Sequence, residues 1–129
     1  MRILAVDDDE STLEILSILS ARLGFAKMAE AANAKEAMES IRHSPVPYDC
    51  ILLDLHMPGM NGIELCARLR EHADYARCPI IMVTAMTDEA RLDQACKAGA
   101  DDYIIKPFNL DDLATRLDRV VRPRQGAAH

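Results

Sequence analysis

Residues 3–10 read ILAVDDDE, so that four apolar residues run directly into four acidic ones. A short, continuously apolar run is typical of a strand covered on both faces, as in a parallel sheet. A second such run, at residues 50–53, ends in the carboxylate of Asp54. Two buried strands that end in acid predict carboxylates gathered at one edge of a sheet. Their mutual repulsion favours a bound divalent cation with oxygen ligands.

Outward from these two runs, apolar segments alternate with helical stripes along the chain. Strands are predicted at residues 3–6, 25–30, 50–53, 80–83 and 103–105. The second of these carries Lys27 and Glu30, which makes it the best candidate for an edge strand. Regular strand–helix alternation predicts right-handed crossovers and helices on both faces of the sheet. We therefore expect an α/β fold with a single doubly wound, five-stranded parallel sheet.

Capping residues and glycines mark the ends of the helices. The predicted N-caps of the first, second, third and fifth helices are Ser11, Asn33, Asn61 and Asn109. The fourth helix is expected to begin near Asp88 and to end at Gly99, as the first ends at Gly24. The fifth is expected to span residues 110–121.

Composition narrows the class of protein. The 129 residues are 50% hydrophobic and carry a net charge of −6, which suits one domain with one core and argues against non-specific binding to nucleic acid or anionic membranes. No apolar run approaches the roughly 18 residues of a membrane span, and the N-terminus has no signal-peptide pattern. The cysteines, Cys50, Cys66, Cys78 and Cys96, form no CxxC pair. We expect reduced, mostly buried thiols in a cytoplasmic protein.

Reactive side chains follow four of the five strands. Asp7 and Asp8 follow the first strand, Asp54 the third, Thr84 the fourth and Lys106 the fifth. Each alone has an ordinary structural explanation, but all fall at the sheet edge where ligands bind in this class of fold. Carboxylates suit Mg²⁺, while a hydroxyl and an ammonium suit phosphoryl oxygens. The set indicates phosphoryl transfer onto a carboxylate, and the lack of a GxxxxGK loop argues against a P-loop enzyme.

Four blocks of sequence resemble the signature blocks of response-regulator receiver domains of two-component signal transduction, the CheY-like family. They are residues 6–9, 53–62, 83–85 and 103–108. The blocks match in order, spacing and strand position, and the resemblance extends over roughly residues 2–121. It implies the strand order 2-1-3-4-5 and a cis peptide bond between Lys106 and Pro107.

The resemblance also implies a magnesium site. Asp54 and Asp8 would ligate Mg²⁺ directly, together with the backbone carbonyl of His56, while Asp7 would act mainly through water. Asp9 is an additional acid, expected either to add repulsion or to contact the metal through water.

The same resemblance implies roles in phosphorylation and switching. Asp54 would be the phosphoacceptor, Lys106 would pair with the phosphoryl group, and Thr84 would donate its hydroxyl to it. Tyr103 would be the aromatic switch residue that moves inward together with Thr84.

Partners and alternatives follow from these roles. The phosphodonor would be a histidine kinase or a histidine phosphotransfer protein. The switched surface, formed by the fourth helix, fifth strand and fifth helix, would contact an effector protein or a fused output domain, without direct contact to nucleic acid or membrane. The chain would catalyse only its own phosphorylation and dephosphorylation and would not be a conventional enzyme. The alternatives are a phosphorylation-independent pseudo-receiver scaffold and an aspartate-nucleophile phosphohydrolase, which usually needs a cap insertion.

Two features have more than one interpretation. Met57, Met60, Met82 and Met86 cluster in sequence around the site; core filling is the favoured interpretation, and an adaptable partner surface is the second. We expect residues 1–122 to form the receiver domain and residues 123–129 a C-terminal tail or linker stub. Because Met1 lies two residues before the first strand, we expect either a stand-alone regulator or the N-terminal receiver of a longer protein, with the second slightly favoured.

Overall fold

Five parallel strands form one sheet in the order β2-β1-β3-β4-β5, as expected. The computed structural model describes residues 2–25, 28–57, 59–85 and 89–120. The strands are β1 (Ile3–Val6), β2 (Ala29–Ala31), β3 (Cys50–Asp54), β4 (Ile80–Thr84) and β5 (Asp102–Ile105). The helices are α1 (Glu10–Arg22), α2 (Ala34–His43), α3 (Gly62–Glu71), α4 (Glu89–Ala98) and α5 (Leu110–Val120). Within the described ranges, no helix has the length and apolar character needed to cross a membrane.

Alternate residues of the central strands build two cores, one on each face of the sheet. Leu4 and Val6 of β1 join a cluster formed with α2, α3 and α4, whereas Ile3 and Ala5 join a cluster formed with α1 and α5. Every residue of β1, β3 and β4 is buried, which explains why their sequences are apolar without alternation. The sheet is therefore held on both sides, and the carboxyl ends of its strands are placed by a rigid core.

Three of the predicted N-caps are confirmed, and one is wrong. Asn33, Asn61 and Asn109 each accept a hydrogen bond from the backbone N–H three residues later, at 2.9 Å. The N-cap of α1 is Asp9 and not Ser11, because the Asp9 carboxylate accepts from the Ser11 backbone N–H at 3.0 Å and helix α1 already begins at Glu10. A charged oxygen satisfies the first turn more strongly than a hydroxyl would. Asp9 thus has a structural role at the helix start.

Strand β2 is shorter than predicted and lies later in the chain. It covers Ala29–Ala31, whereas residues 25–30 were expected. Phe25 instead completes the end of α1: its N–H donates to the Ser20 carbonyl while the N–H of Gly24, at φ +87°, donates to Ala21. These two hydrogen bonds form a Schellman motif, a common C-terminal cap of helices. Because Phe25 is part of this cap, the strand begins later in the chain. The edge position of β2 is confirmed, while Lys27 lies outside the described residues.

The remaining strand and helix boundaries agree closely with the predicted ones. Helix α4 begins at Glu89 and ends before Gly99, which has φ +117°. Asp88, the expected start of α4, and Val121, the expected end of α5, lie outside the described residues. Cys50, Cys66 and Cys78 are buried free thiols, as expected. Cys96 on α4 is exposed, and Ala95 is the buried residue of that helix.

Gly62, the first residue of α3, is confined against the end of β3. Its N–H donates to the Leu55 carbonyl at 3.0 Å. A methyl group in place of its hydrogen would overlap the Asp54 carbonyl oxygen and lie 2.9 Å from the Asp54 carbonyl carbon. Because both neighbours are backbone atoms, neither can move aside without displacing the strand end.

We therefore expect Gly62→Ala to lower the free energy of unfolding by about 1–3 kcal/mol, the usual cost of forcing a methyl group into packed structure. Denaturant unfolding would measure this, with Ala67→Ser on the exposed side of α3 as the matched control, expected to change stability by less than about 0.5 kcal/mol. A Gly62→Ala protein as stable as the control would contradict the close packing.

Candidate functional site

Three carboxylates meet at the carboxyl end of the sheet. Asp7, Asp8 and Asp54 each offer an oxygen within 4.8 Å of the other two. They converge because Val6 of β1 pairs with Leu53 of β3, so the residues that follow leave the sheet side by side. Asp7 and Asp54 are buried, at 1% and 6% exposure, while Asp8 is exposed. Two of the three acids are thus largely removed from water and the third faces it.

One ammonium group reaches this cluster in the described part of the chain. Lys106, which follows β5, places Nζ 2.8 Å from Asp7 Oδ2 and 4.0 Å from Asp54 Oδ2. Its peptide bond to Pro107 is cis, as the family resemblance implied. Lys106 is closer to Asp7 than to Asp54, yet it lies within reach of both. With all three acids ionised, the four groups together carry two more negative charges than positive ones.

Backbone contacts attach the other predicted site residues to this edge. The His56 N–H donates to Asp54 Oδ1 at 3.3 Å, and the His56 side chain is exposed. Thr84 is buried at the end of β4, and its carbonyl accepts from the Lys106 N–H at 2.7 Å. The structure therefore brings Asp7, Asp8, Asp54, His56, Thr84 and Lys106 to one end of the sheet. The chemical roles assigned to them remain predictions.

Burial and charge act together on the phosphoacceptor candidate. Desolvation and the neighbouring negative charge of Asp7 raise the pKa of Asp54 to about 7, although Lys106 and the His56 N–H oppose the rise. A carboxylate in this position is costly to ionise without additional positive charge nearby. Any cation that enters the cluster will therefore relieve this cost.

The donor set fits a hard divalent cation. Three carboxylates provide oxygen ligands, and Lys106 alone leaves part of their negative charge uncompensated. Mg²⁺ is commonly held in proteins by one or two carboxylates while keeping several waters, and the exposed position of Asp8 leaves room for them. Asp7, Asp8 and Asp54 are thus suitable ligands for Mg²⁺.

Tyr103 lies beside an ion-pair network of three residues that the sequence did not reveal. Tyr103 is half-buried on β5, and the Arg116 guanidinium of α5 lies 5.5 Å from its ring centroid. Arg116 also bonds Asp102 at 3.0 Å, and Arg119 approaches the same carboxylate at 3.5 Å. The pairing joins residues 14 positions apart, for which no local sequence signal exists. Predicting this ion pair would have required knowing how α5 packs beside β5.

Comparison with known proteins gives a consistent family. The model of the response regulator receiver domain matches residues 3–118. The transcriptional regulatory protein SrrA of Staphylococcus aureus is 39% identical over 123 residues, which cover 95% of this chain and 48% of that protein. The chain therefore spans about half the length of the curated relatives it matches.

Solved structures agree in fold. The chemotaxis protein CheY4 of Vibrio cholerae superposes with a TM-score of 0.85 at 31% identity, covering 92% of this chain and 97% of that one. The receiver domain of the sensor histidine kinase PA1611 of Pseudomonas aeruginosa has a TM-score of 0.83 at 27% identity, covering 94% and 97%. That structure contains a magnesium ion coordinated in its active-site cleft.

The raised pKa of Asp54 predicts a stability cost that depends on pH. The folded value of about 7 exceeds the ordinary value of 3.8, so the folded state retains the proton longer than the unfolded state does. The penalty is absent below about pH 4, grows as the pH rises and is complete above pH 7. In metal-free buffer, Asp54→Asn should therefore stabilise the domain by about 4 kcal/mol at pH 8 and by less than half as much at pH 5.

Denaturant unfolding at the two pH values would measure the difference, with the exposed Glu71→Gln as a control that should gain nothing at either pH. If Asp54→Asn raised the free energy of unfolding equally at both pH values, the raised pKa of Asp54 would not be the cause of the gain.

Proposed function

Because the chain belongs to the response regulator receiver domain family, we propose that it accepts a phosphoryl group on Asp54 from a phosphohistidine of a partner protein. One observation carries this proposal: Asp54 ends the middle strand of the sheet, 4.0 Å from the Lys106 ammonium and beside two further carboxylates. A nucleophile, a cation for the phosphoryl oxygens and ligands for a metal are thus present within one small pocket.

Asp8 and Asp54 would hold Mg²⁺ together with the backbone carbonyl of His56, and Asp7 would assist through water. The ion would supply positive charge that offsets the negative charge of the transferring phosphoryl oxygens. Because it would also offset the charge of the cluster, it would keep Asp54 ionised at neutral pH. The magnesium in the cleft of the related PA1611 receiver domain supports this assignment.

In the proposed reaction a carboxylate oxygen of Asp54 attacks the phosphorus in line with the leaving imidazole. A P–O bond forms, the P–N bond of the phosphohistidine breaks, and the partner's histidine leaves with the electron pair. Lys106 Nζ, held 2.8 Å from Asp7, exchanges part of that contact for the phosphoryl oxygens. Positioning and charge stabilisation account for most of such catalysis, so the domain needs no acid or base of its own.

The phosphorylated state would be read through Thr84 and Tyr103. Reversing a conformational equilibrium from 1:99 to 99:1 takes about 5.5 kcal/mol, and each charge-assisted hydrogen bond contributes roughly 1.5–3 kcal/mol. Two or three new bonds, from Lys106, Thr84 and backbone amides, are therefore sufficient. Inward movement of Tyr103 would break its stacking with Arg116 and change the surface formed by α4, β5 and α5.

The same proposal covers the partners of the whole protein and its location in the cell. A histidine kinase or histidine phosphotransfer protein would donate the phosphoryl group, in the cytoplasm, to a receiver domain of residues 1–122. The relative SrrA is a transcriptional regulatory protein about twice as long as this chain, which supports an output domain or effector that responds to the switched surface. The receiver would act on its own Asp54 and would not turn over external substrates as a conventional enzyme does.

The two alternatives are less favoured. A phosphohydrolase with an aspartate nucleophile needs a pocket for its substrate's leaving group, and the family match does not favour that class. A phosphorylation-independent scaffold has no need for an intact set of acids and lysine, and all of these residues are present at the strand ends.

Asp54→Asn should abolish covalent labelling of the chain by acetyl phosphate in the presence of Mg²⁺, because the amide oxygen is a poor nucleophile. Phosphate incorporation followed by mass spectrometry would measure this, with the exposed Asp111→Asn on α5 as a control that labels like the wild type. Labelling that persists in Asp54→Asn would contradict the acceptor assignment. A wild-type chain that never labels would support the scaffold instead.

Millimolar Mg²⁺ should stabilise the wild-type domain at pH 8, by about 2.7 kcal/mol when the ion is present at 100 times its Kd. Asp8→Asn should reduce this gain strongly without preventing folding, since the Asp8 side chain is exposed. Thermal unfolding with and without the ion would measure both effects. An unchanged wild-type Tm would argue against the metal site.

A further inference from the structure

An apolar trough lies between α2 and α3, outside the acidic site. It has a volume of about 520 Å³ and is open to solvent along one side. Ala34 and Leu65 are buried in its wall, while Met38 and Met60 are half-buried. Both methionines also pack against the core cluster beneath α2, α3 and α4. None of these residues has a role in the proposed phosphoryl transfer.

Two cations are available at the trough. Of its polar lining residues, Asn33 is already committed to Glu36, since it accepts from the Glu36 N–H at 2.9 Å and donates to Glu36 Oε2 at 3.2 Å. Lys35 and Arg68 are exposed, and neither forms an ion pair with any carboxylate in residues 2–25, 28–57, 59–85 or 89–120. Two exposed cations without an ion pair among the described residues therefore flank this apolar surface.

We propose that this trough binds an acidic amphipathic helix of a partner protein. Apolar side chains of that helix would rest on Met38, Met60 and Leu65, and its carboxylates would pair with Lys35 and Arg68. The charge complementarity identifies the partner as acidic. The position between two helices suits an added helix with anchors at i, i+3 or i+4 and i+7.

The trough is partly open to solvent, which leaves space for side chains that belong to a protein segment. Its volume of about 520 Å³ also lies in the usual range of small-molecule sites, so a small ligand is one of the outcomes that the test distinguishes. Methionine side chains are flexible and adapt to apolar partners of different shape, which suits a surface that receives side chains from outside. The sequence allowed two interpretations of Met60, core filling and a partner surface. In this proposal Met60 serves both purposes, because it packs against the core and also lines the trough.

The test uses the full chain with ¹³C-labelled methionine methyl groups and a designed helical peptide. The peptide carries leucines at i, i+4 and i+7 and glutamates on both sides of them. NMR titration should give saturable shifts at Met38 and Met60, with Met28 in the other core cluster unchanged. A peptide with the leucines changed to alanine should produce no saturable shift.

Charge reversal provides the sharpest comparison. Lys35→Glu with Arg68→Glu should raise the Kd of the acidic peptide about tenfold or more, the size expected when two exposed ion pairs are lost. The same variant should gain affinity for a peptide in which lysines replace the glutamates. The control, Arg77→Glu with Lys97→Glu, changes the net charge equally at exposed positions outside the trough and should leave the Kd within about twofold.

Several results would overturn the proposal. They are a wild-type titration without shifts at Met38 and Met60, equal weakening by the control variant, and binding that survives loss of the leucines. An aromatic sulfonate that binds the trough while the acidic peptide does not would make it a small-molecule site. Methionine shifts that depend on the concentration of the chain alone would assign the trough to a second copy.

Discussion

Repulsion among the carboxylates at the carboxyl end of the sheet is the main constraint on this structure. Parallel pairing of β1 with β3 brings Asp7, Asp8 and Asp54 to one place, with oxygens within 4.8 Å. Lys106 offsets part of this charge through its 2.8 Å contact with Asp7, while burial and the nearby charge of Asp7 together raise the pKa of Asp54. The same imbalance that costs stability prepares the pocket for a cation and, in the proposed function, for a phosphoryl group.

The rest of the fold holds that pocket in place. Both faces of β1, β3 and β4 are covered, so the ends of these strands cannot shift independently. Asp9 caps α1 directly after the first acids, and Gly62 allows α3 to begin against the backbone of Asp54. Rigid support of this kind suits a site whose chemistry depends on positioning. The surface around Tyr103, by contrast, is formed by side chains: the Arg116 guanidinium lies beside the Tyr103 ring and pairs with Asp102.

The sequence allowed most of the fold and the meeting of the candidate site residues at one edge to be predicted, because both depend on local patterns. Continuous apolar runs identify strands that are buried on both faces, and the reactive residues after four of the five runs identify the edge where they meet. The errors arise where a longer-range or competing interaction decides the outcome. Phe25 belongs to the cap of α1 and not to β2, and Asp9 caps a helix that begins before Ser11. The Arg116–Asp102 pair depends on how α5 packs beside β5.

A crystal structure grown with beryllofluoride and Mg²⁺ would show whether Asp54 is the phosphoacceptor, since beryllofluoride mimics a phosphoryl group bound to a carboxylate. We expect density joined to an Asp54 oxygen, with Lys106 turned from Asp7 toward the fluorines and a metal ion beside Asp8. Density on another side chain, or a bare Asp54 next to an occupied metal site, would contradict it.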